Sequence, residues 1–395
     1  MYPDLSYLLN DLVGTPVDNW TSIVKTFGLF LVIAFLTSHF FLAKELKRKE
    51  EEGLINPSKI RTKVGFPPTT GEIILNSLLG FFLGFKVVYL IRNYQEIGND
   101  IIPFLVSTDG NWGSGLIGAI IFGGLYYYNR QKQKLSKPHI KETIIHPYQR
   151  TGDITIRAAI SGIIGAKLFA LFESIDTIKA FFADPIGQFF SGSGLAIYGG
   201  LIIAFIYVYW YVSKKNITPI HAMDAVAPAL MIGYAVGRIG CQLSGDGDWG
   251  IVNTLEIPGW WFLPEWLWSY DYPRNVLQQG SIIEGCEGEY CRRLVEGVYP
   301  TPAYETIVGI MLFLILWALR KRIHIAGMLF FIYLILNGLE RFFIEKIRVN
   351  EKLPLLGMQL TQAEIISFLL FFAGIVGCTV LWLRHRKGKL SSDST

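Results

Sequence analysis

Arginine and glutamate recur at helical spacing near the end of one apolar segment: Arg341, Glu345 and Arg348 in NGLERFFIEKIR stand at i, i+4 and i+7. One helix face therefore displays guanidinium, carboxylate and guanidinium together. A further arginine closes the apolar run HAMDAVAPALMIGYAV in the stretch GRIGCQLSGDGDWG, where Arg238 is followed by a glycine-rich turn carrying Asp246 and Asp248. Tyr304 and Glu305 open a third apolar segment in YPTPAYETIVG, and Tyr198, Gly199 and Gly200 open a fourth in SGLAIYGGL. An ionised side chain in mid-bilayer costs at least about 2.5 kcal/mol, so each of these charges needs a partner or a purpose. Structural ion pairs between helices are one purpose. Phosphate recognition is another, because the planar guanidinium fork donates paired hydrogen bonds and stays ionised in almost any environment. A turn built on glycine lets backbone N–H groups approach an anion. Asp246 and Asp248 would then orient the arginines or a hydroxyl-bearing headgroup, or serve as ordinary turn residues. The resulting expectation is a clamp in which Arg238 and Arg341 grip a phospholipid headgroup.

Such a clamp needs membrane-embedded helices to carry it, and composition supplies them. The chain has 395 residues, of which 51% are apolar, 14% aromatic and only 17% charged, too little charge for the surface of a soluble protein of this length. Apolar windows long enough to cross a hydrocarbon core of roughly 30 Å recur about nine times, at approximately 22–43, 71–94, 112–129, 154–174, 194–213, 221–243, 304–320, 325–345 and 362–384. The expected fold class is an all-α integral membrane protein, a polytopic helical bundle of about nine transmembrane helices around a site in the outer leaflet. Residues 1–395 form one transmembrane domain in this reading, and 245–302 form an external loop that holds five of the ten tryptophans. Tryptophan prefers the headgroup layer, so that loop rests on the outer leaflet or acts as a lid.

Basic residues set the expected orientation. The N-terminal segment MYPDLSYLLNDLVGTPVDNWT has no Lys or Arg, whereas KELKRKEEE, NRQKQKLSKPHIK, SKK, RKR and RHRKGK fall on alternate loops of the same side. By the retention of positive charge in the cytoplasm, the N-terminus is outside and the C-terminus cytoplasmic. The first span lacks a small-residue cleavage site behind a basic region and reads as a retained helix. The net charge of +4 reflects the basic inner rim and gives no nucleic-acid motif. Cys286 and Cys291, in GCEGEYCRR, have a spacing that permits a disulfide in an oxidising compartment. Cys241 and Cys378 read as small packing residues. No His, Cys or carboxylate set shows metal-ligand spacing, so neither a metal nor a cofactor is expected.

With these motifs in place the sequence resembles the prolipoprotein diacylglyceryl transferases of bacterial inner membranes. GRIGCQLSGDGDWG is similar to the family signature, SGLAIYGGLI to its glycine-pair motif, YPTPAYE to its tyrosine-glutamate motif and NGLERFFIEKIR to its arginine-glutamate helix. DAVAP before the signature also matches, and order and spacing agree over roughly 150 to 395. The resemblance implies transfer of the diacylglyceryl group of phosphatidylglycerol to the lipobox cysteine thiol of prolipoprotein signal peptides, with release of glycerol phosphate and without a cofactor. Carried over, it assigns Arg238 and Arg341 to the phosphate, Glu345 and Arg348 to support of the site, Asp246 to the acidic signature position, and Tyr304 and Glu305 to the tyrosine-glutamate pair. Tyr198, Gly199 and Gly200 fill the glycine-pair motif. The two spans within 71–130 stand outside the family's seven-helix core and read as an insertion.

Three positions depart from the family pattern: Tyr198 stands where many members have histidine, Phe27 where many have tyrosine, and Cys241 where asparagine is frequent. The first bears on mechanism. All six histidines, His39, His139, His146, His221, His324 and His385, map to the cytoplasmic half under the expected topology, so no imidazole base is available outside. Tyr198, Asp246 or Glu345 remain as proton acceptors, with arginine electrostatics as the favoured main effect. Rival readings are a secondary transporter, which would spread its charges toward the midplane, and a lipid-binding protein without transfer activity.

Overall fold

The computed structural model describes residues 1–97, 104–105, 107–172, 175–185, 188, 196–350, 352–355 and 358–392. Every one of the nine apolar windows forms a helix: α2 (Thr26–Glu51), α3 (Thr70–Arg92), α4 (Trp112–Lys132), α5 (Thr151–Leu171), α7 (Ile197–Lys214), α8 (Pro219–Ser244), α9 (Thr301–Leu319), α10 (Met328–Glu345) and α11 (Gln362–Ser392). Two amphipathic helices join them, α1 (Leu5–Val13) and α6 (Ile175–Ala183). Among the described residues six helices are long and apolar enough to cross a membrane: Thr26–Glu51, Thr70–Arg92, Pro147–Leu171, Pro219–Ser244, Thr301–Leu319 and Gln362–Lys387. This is the architecture of a helical integral membrane protein. Helix α10 is not among the six, and its 18 residues include Glu340, Arg341 and Glu345.

Helix ends follow local chemistry. The hydroxyl of Thr69 accepts from Glu72 N–H while the Glu72 carboxylate accepts from Thr69 N–H, a capping box that starts α3. Helix α8 begins with Pro219 in its first turn and ends at Gly245 in the left-handed conformation, whose N–H reaches Cys241 O at 3.0 Å.

The chain divides into two compact units. The first comprises residues 1–56, 147–152 and 216–395. In it α2 runs antiparallel to α8: Phe27 and Phe30 lie against Gly240, the Ser38 hydroxyl donates to Ala229 O at 2.9 Å, and Lys49 meets Asp224 at 3.7 Å. Met231, Phe313, Leu316 and Leu329 form a buried apolar core among α8, α9 and α10. Away from the site, the Asp224 carboxylate accepts from Gly327 N–H at 2.8 Å and Phe330 N–H at 3.1 Å, satisfying the otherwise orphaned start of α10. The C-terminal ends of α8 and α10 thus share one end of this unit with the N-terminal end of α9.

The loop 245–302 covers that end with irregular chain built on Trp249, Tyr272 and Val298, and the Tyr272 hydroxyl donates to Gln242 Oε1 at 2.8 Å. Cys286 and Cys291 are disulfide-bonded, with Cα atoms 5.6 Å apart. The disulfide loop ties down the N-terminal segment: Tyr290 N–H donates to the Tyr7 hydroxyl at 3.1 Å, and Glu289 N–H to Asp18 at 2.7 Å. Trp260 and Phe262 of the same loop are exposed.

The second unit comprises residues 57–146 and 153–215. Strands β1 (Ser58–Val64) and β2 (His139–Ile145) pair antiparallel, with Ser58 opposite Ile145 and Val64 opposite His139. Helices α3 and α4 form a hairpin whose backbones touch, since a Cβ on Gly118 would sit 2.1 Å from Gly80 O. Buried Lys86 donates to the carbonyls of Phe104, Ser107 and Asp109 at 2.7–2.8 Å and so organises the α3–α4 connection.

Candidate active site

Three arginines from two helix ends converge on one carboxylate. Glu305, in the first turns of α9, has a side chain with no solvent exposure. Its Oε2 lies 3.2 Å from Arg238 Nε, and its Oε1 lies 2.9 Å from Arg341 Nη1 and 3.7 Å from Arg348 Nη1. Arg341 continues to Glu345 Oε2 at 3.1 Å, the i, i+4 pair expected from spacing, and Asn350 donates to the other Glu345 oxygen. Arg238 and Arg348 both donate to Asp248, one to each oxygen. The network is closed by Tyr234, whose hydroxyl donates to Glu305 Oε1 at 2.8 Å and lies 3.3 Å from Glu340 Oε1.

The backbone explains why the glycine-rich turn can reach the arginine helix. Gly250 and Arg348 form a β-bridge, and Ile251 N–H donates to Ile347 O at 2.8 Å. A Cβ at Gly250 would stand 2.5 Å from that same Ile347 carbonyl, so the approach requires glycine. The Thr301 hydroxyl donates to Asp248 O at 2.6 Å, fixing the turn to the start of α9.

The two aspartates of the turn differ. Burial, the largest influence on Asp248, favours its neutral form, but the charges of Arg238 and Arg348 together outweigh it and hold this carboxyl below its ordinary range. For Asp246, burial and then the like charge of Asp248 push proton affinity up. Asp246 accepts from Asp248 N–H at 3.3 Å and makes no ion pair within 4.0 Å among the described residues. Cys241, Asp246 and Asp248 bring potential metal-ligand atoms within 4.8 Å of one another, a grouping that sequence spacing did not reveal. Arg238 Nη1 lies 3.7 Å from Cys241 Sγ and also holds Asp248, so a guanidinium already serves this group of side chains.

Of the residues singled out from sequence, Arg238, Arg341, Arg348, Glu305, Glu345, Asp248 and Asp246 come together. Tyr304 neighbours Glu305 in sequence, yet its hydroxyl donates to Leu267 O at 2.6 Å and anchors the external loop. Tyr198, Gly199 and Gly200 belong to the second unit. There a Cβ on Gly199 would meet Phe169 at 2.3 Å and one on Gly200 would meet Gly162 O at 2.8 Å, so the pair lets α7 pack directly on α5. His221 lies on α8 seventeen residues before Arg238, roughly 25 Å along the helix.

Two members of the network were missed. Tyr234 is four residues before Arg238 and so on its face, and Glu340 is a carboxylate inside an apolar helix; either signal could have flagged them.

Fold and site together define a polytopic helical membrane protein with an arginine-carboxylate centre at one end of its bundle. Residues 111–380 match the family described as prolipoprotein diacylglyceryl transferase, more than half of the sequence, and the chain belongs to that family. The matched region takes in α4 but not α3. Similar proteins named phosphatidylglycerol–prolipoprotein diacylglyceryl transferase include one from Leptospira interrogans serovar copenhageni, 25% identical over 332 residues that cover 83% of this chain and 72% of the relative. Another from Halalkalibacterium halodurans is 29% identical over 77% of this chain and 89% of its own. A third, from Chlorobaculum tepidum, is 28% identical over 74% and 93%.

Proposed function

We propose that this chain transfers the diacylglyceryl group of phosphatidylglycerol to the lipobox cysteine thiol of a prolipoprotein, releasing glycerol phosphate. The observation that carries the reading is the convergence of Arg238, Arg341 and Arg348 on Glu305 in a member of this family. In the reaction the precursor sulfur loses its proton and bonds to the glyceryl carbon. The carbon–oxygen bond to phosphate breaks, and its electron pair leaves on the phosphate oxygen. Stabilising that developing charge is the task guanidinium groups perform best.

The arginines are occupied by carboxylates, so an incoming phosphodiester competes for them. Asp248 is the partner placed to yield, because its side chain is 31% exposed while that of Glu305 is 0% exposed. Displacing Asp248 frees donors on Arg238 and Arg348, while Glu305 keeps the guanidinium groups aligned. A thiol with an unperturbed pKa of about 8.5 needs modest help to ionise. Asp246, whose burial raises its proton affinity, is the carboxylate of the turn suited to take that proton. Glu345 is committed to Arg341 and Asn350. By motif, Gly199 and Gly200 are assigned to substrate binding and Tyr198 stays a candidate proton acceptor. The topology that fits has nine crossings of a bacterial inner membrane, the N-terminus and loop 245–302 outside and the C-terminus in the cytoplasm.

The test is to mix purified protein with phosphatidylglycerol vesicles and a lipobox peptide and to measure the peptide mass. A diacylglyceryl increment on cysteine is expected. Headgroup binding without any increment would overturn transfer in favour of lipid binding alone.

A further inference from the structure

The Tyr234 hydroxyl has one proton and stands between two carboxylates, 2.8 Å from Glu305 Oε1 and 3.3 Å from Glu340 Oε1. It can donate along only one of these lines, and an ionised carboxylate is an acceptor only. The second contact is a hydrogen bond only if one carboxylate carries a proton and donates it to the tyrosine. Glu305 is the ionised one, since Arg238, Arg341 and Arg348 all lie within 4.0 Å of it. Glu340 makes no ion pair within that distance among the described residues, is 8% exposed, and its Oε2 has no protein partner. Bare burial of that kind costs far less for a neutral acid than for an anion.

Titratable groups from three helices act on Glu340. Helix α8 contributes Tyr234 and Arg238, α9 contributes Glu305, and α10 contributes Arg341 and Tyr333. With Glu340 neutral, the three arginines face the three ion-paired carboxylates Glu305, Glu345 and Asp248. An ionised Glu340 would add a further anion to repel a phosphate from these arginines.

We propose that Glu340 is held as a neutral acid that donates to Tyr234, which donates to Glu305, fixing Glu305 among the arginines and sparing a phosphodiester one competing negative charge. Glu340 and Tyr234 are positioning residues in this assignment, acting through Glu305. The effect on the phosphodiester rests on the transferase reading; the proton on Glu340 does not.

Two measurements separate them. Infrared spectra of the detergent-solubilised protein should contain a protonated-carboxyl C=O band that is absent from Glu340→Gln, and lack of such a band overturns the assignment. In the peptide transfer assay Glu340→Ala and Tyr234→Phe should each raise KM for phosphatidylglycerol roughly tenfold or more, the value of a hydrogen bond to a charged group. Glu340→Gln, which retains a donor at that place, should recover most of what Glu340→Ala loses. A Gln variant as impaired as the Ala variant overturns the proposal, because it would mean that an ionised carboxylate is needed. A wild-type protein without transfer would refute the functional reading and leave the infrared result to decide the proton.

Discussion

Arg238→Lys keeps the charge and removes the fork. In the structure Arg238 serves two carboxylates from two chain segments: Nε faces Glu305 of α9 at 3.2 Å, and Nη1 holds Asp248 of the glycine-rich turn. A lysine ammonium is a single point on a flexible stem and cannot reproduce a planar two-sided contact. It keeps at most one of the two partners. Losing one charge-assisted hydrogen bond at a site whose arginine is only 12% exposed costs about 1.5–3 kcal/mol. At about 1.4 kcal/mol per factor of ten, this is a fall of roughly 10- to 150-fold in kcat/KM. Initial rates of peptide modification over a series of phosphatidylglycerol surface concentrations give that ratio, and thermal unfolding in the same detergent shows whether the fold is kept. A folded lysine variant with wild-type kcat/KM would refute the reasoning, because charge alone would then suffice and the observed geometry would be incidental.

Asp248→Asn tests the electrostatics of the turn. Because Arg238 and Arg348 hold the Asp248 carboxyl below its ordinary range, the stability it contributes is present above that range and lost as the pH falls below about 4; the Asn variant should show a flatter acid limb in thermal unfolding. Cys286→Ser opens the loop that holds Tyr290 and Glu289 on the N-terminal segment, at a cost of about 2 kcal/mol, and hydrogen exchange should rise at the Tyr290 amide and across α1. Gly118→Val places a side chain 2.1 Å from Gly80 O and should separate α3 from α4, seen as a lower yield of folded protein and a lower unfolding midpoint; a normal midpoint would argue against the close crossing.

The helices were legible because apolar windows near bilayer length have no other stable use, and all nine windows form helices. The site was legible in part, for a related reason. Arginine and glutamate at i, i+4 and i+7 must share a face, so Arg341, Glu345 and Arg348 could be grouped without coordinates. What sequence could not tell is which of two aspartates in the turn meets the arginines. That choice follows from Gly247, at φ +95, and from the bridge of Gly250 to Arg348 nearly a hundred residues on. Tyr304 shows the converse. Adjacency to Glu305 suggested a shared role, but successive helix positions diverge by about 100°, and its hydroxyl ends on the Leu267 carbonyl.

The same contacts that would bind the phosphate also hold the unit together. Arg238, Glu305 and Arg341 join the ends of α8, α9 and α10, while Asp248 joins the covering loop to α8 and to Arg348. Removing either half of such a buried pair strands the other, so truncations here depress folding and catalysis together. Substitutions that keep shape and change one property are therefore the informative ones: lysine for the fork of Arg238, asparagine for the charge of Asp248, glutamine for the proton of Glu340. If Asp248 is the partner that yields to substrate, its Asn variant should bind phosphatidylglycerol vesicles at least as well as wild type even while it unfolds more readily at neutral pH. Glu305→Gln, which loosens the alignment of all three arginines at once, should weaken both binding and stability. Equal losses of lipid binding in the two variants would show that Asp248 and Glu305 are not divided into a displaceable and a fixed partner.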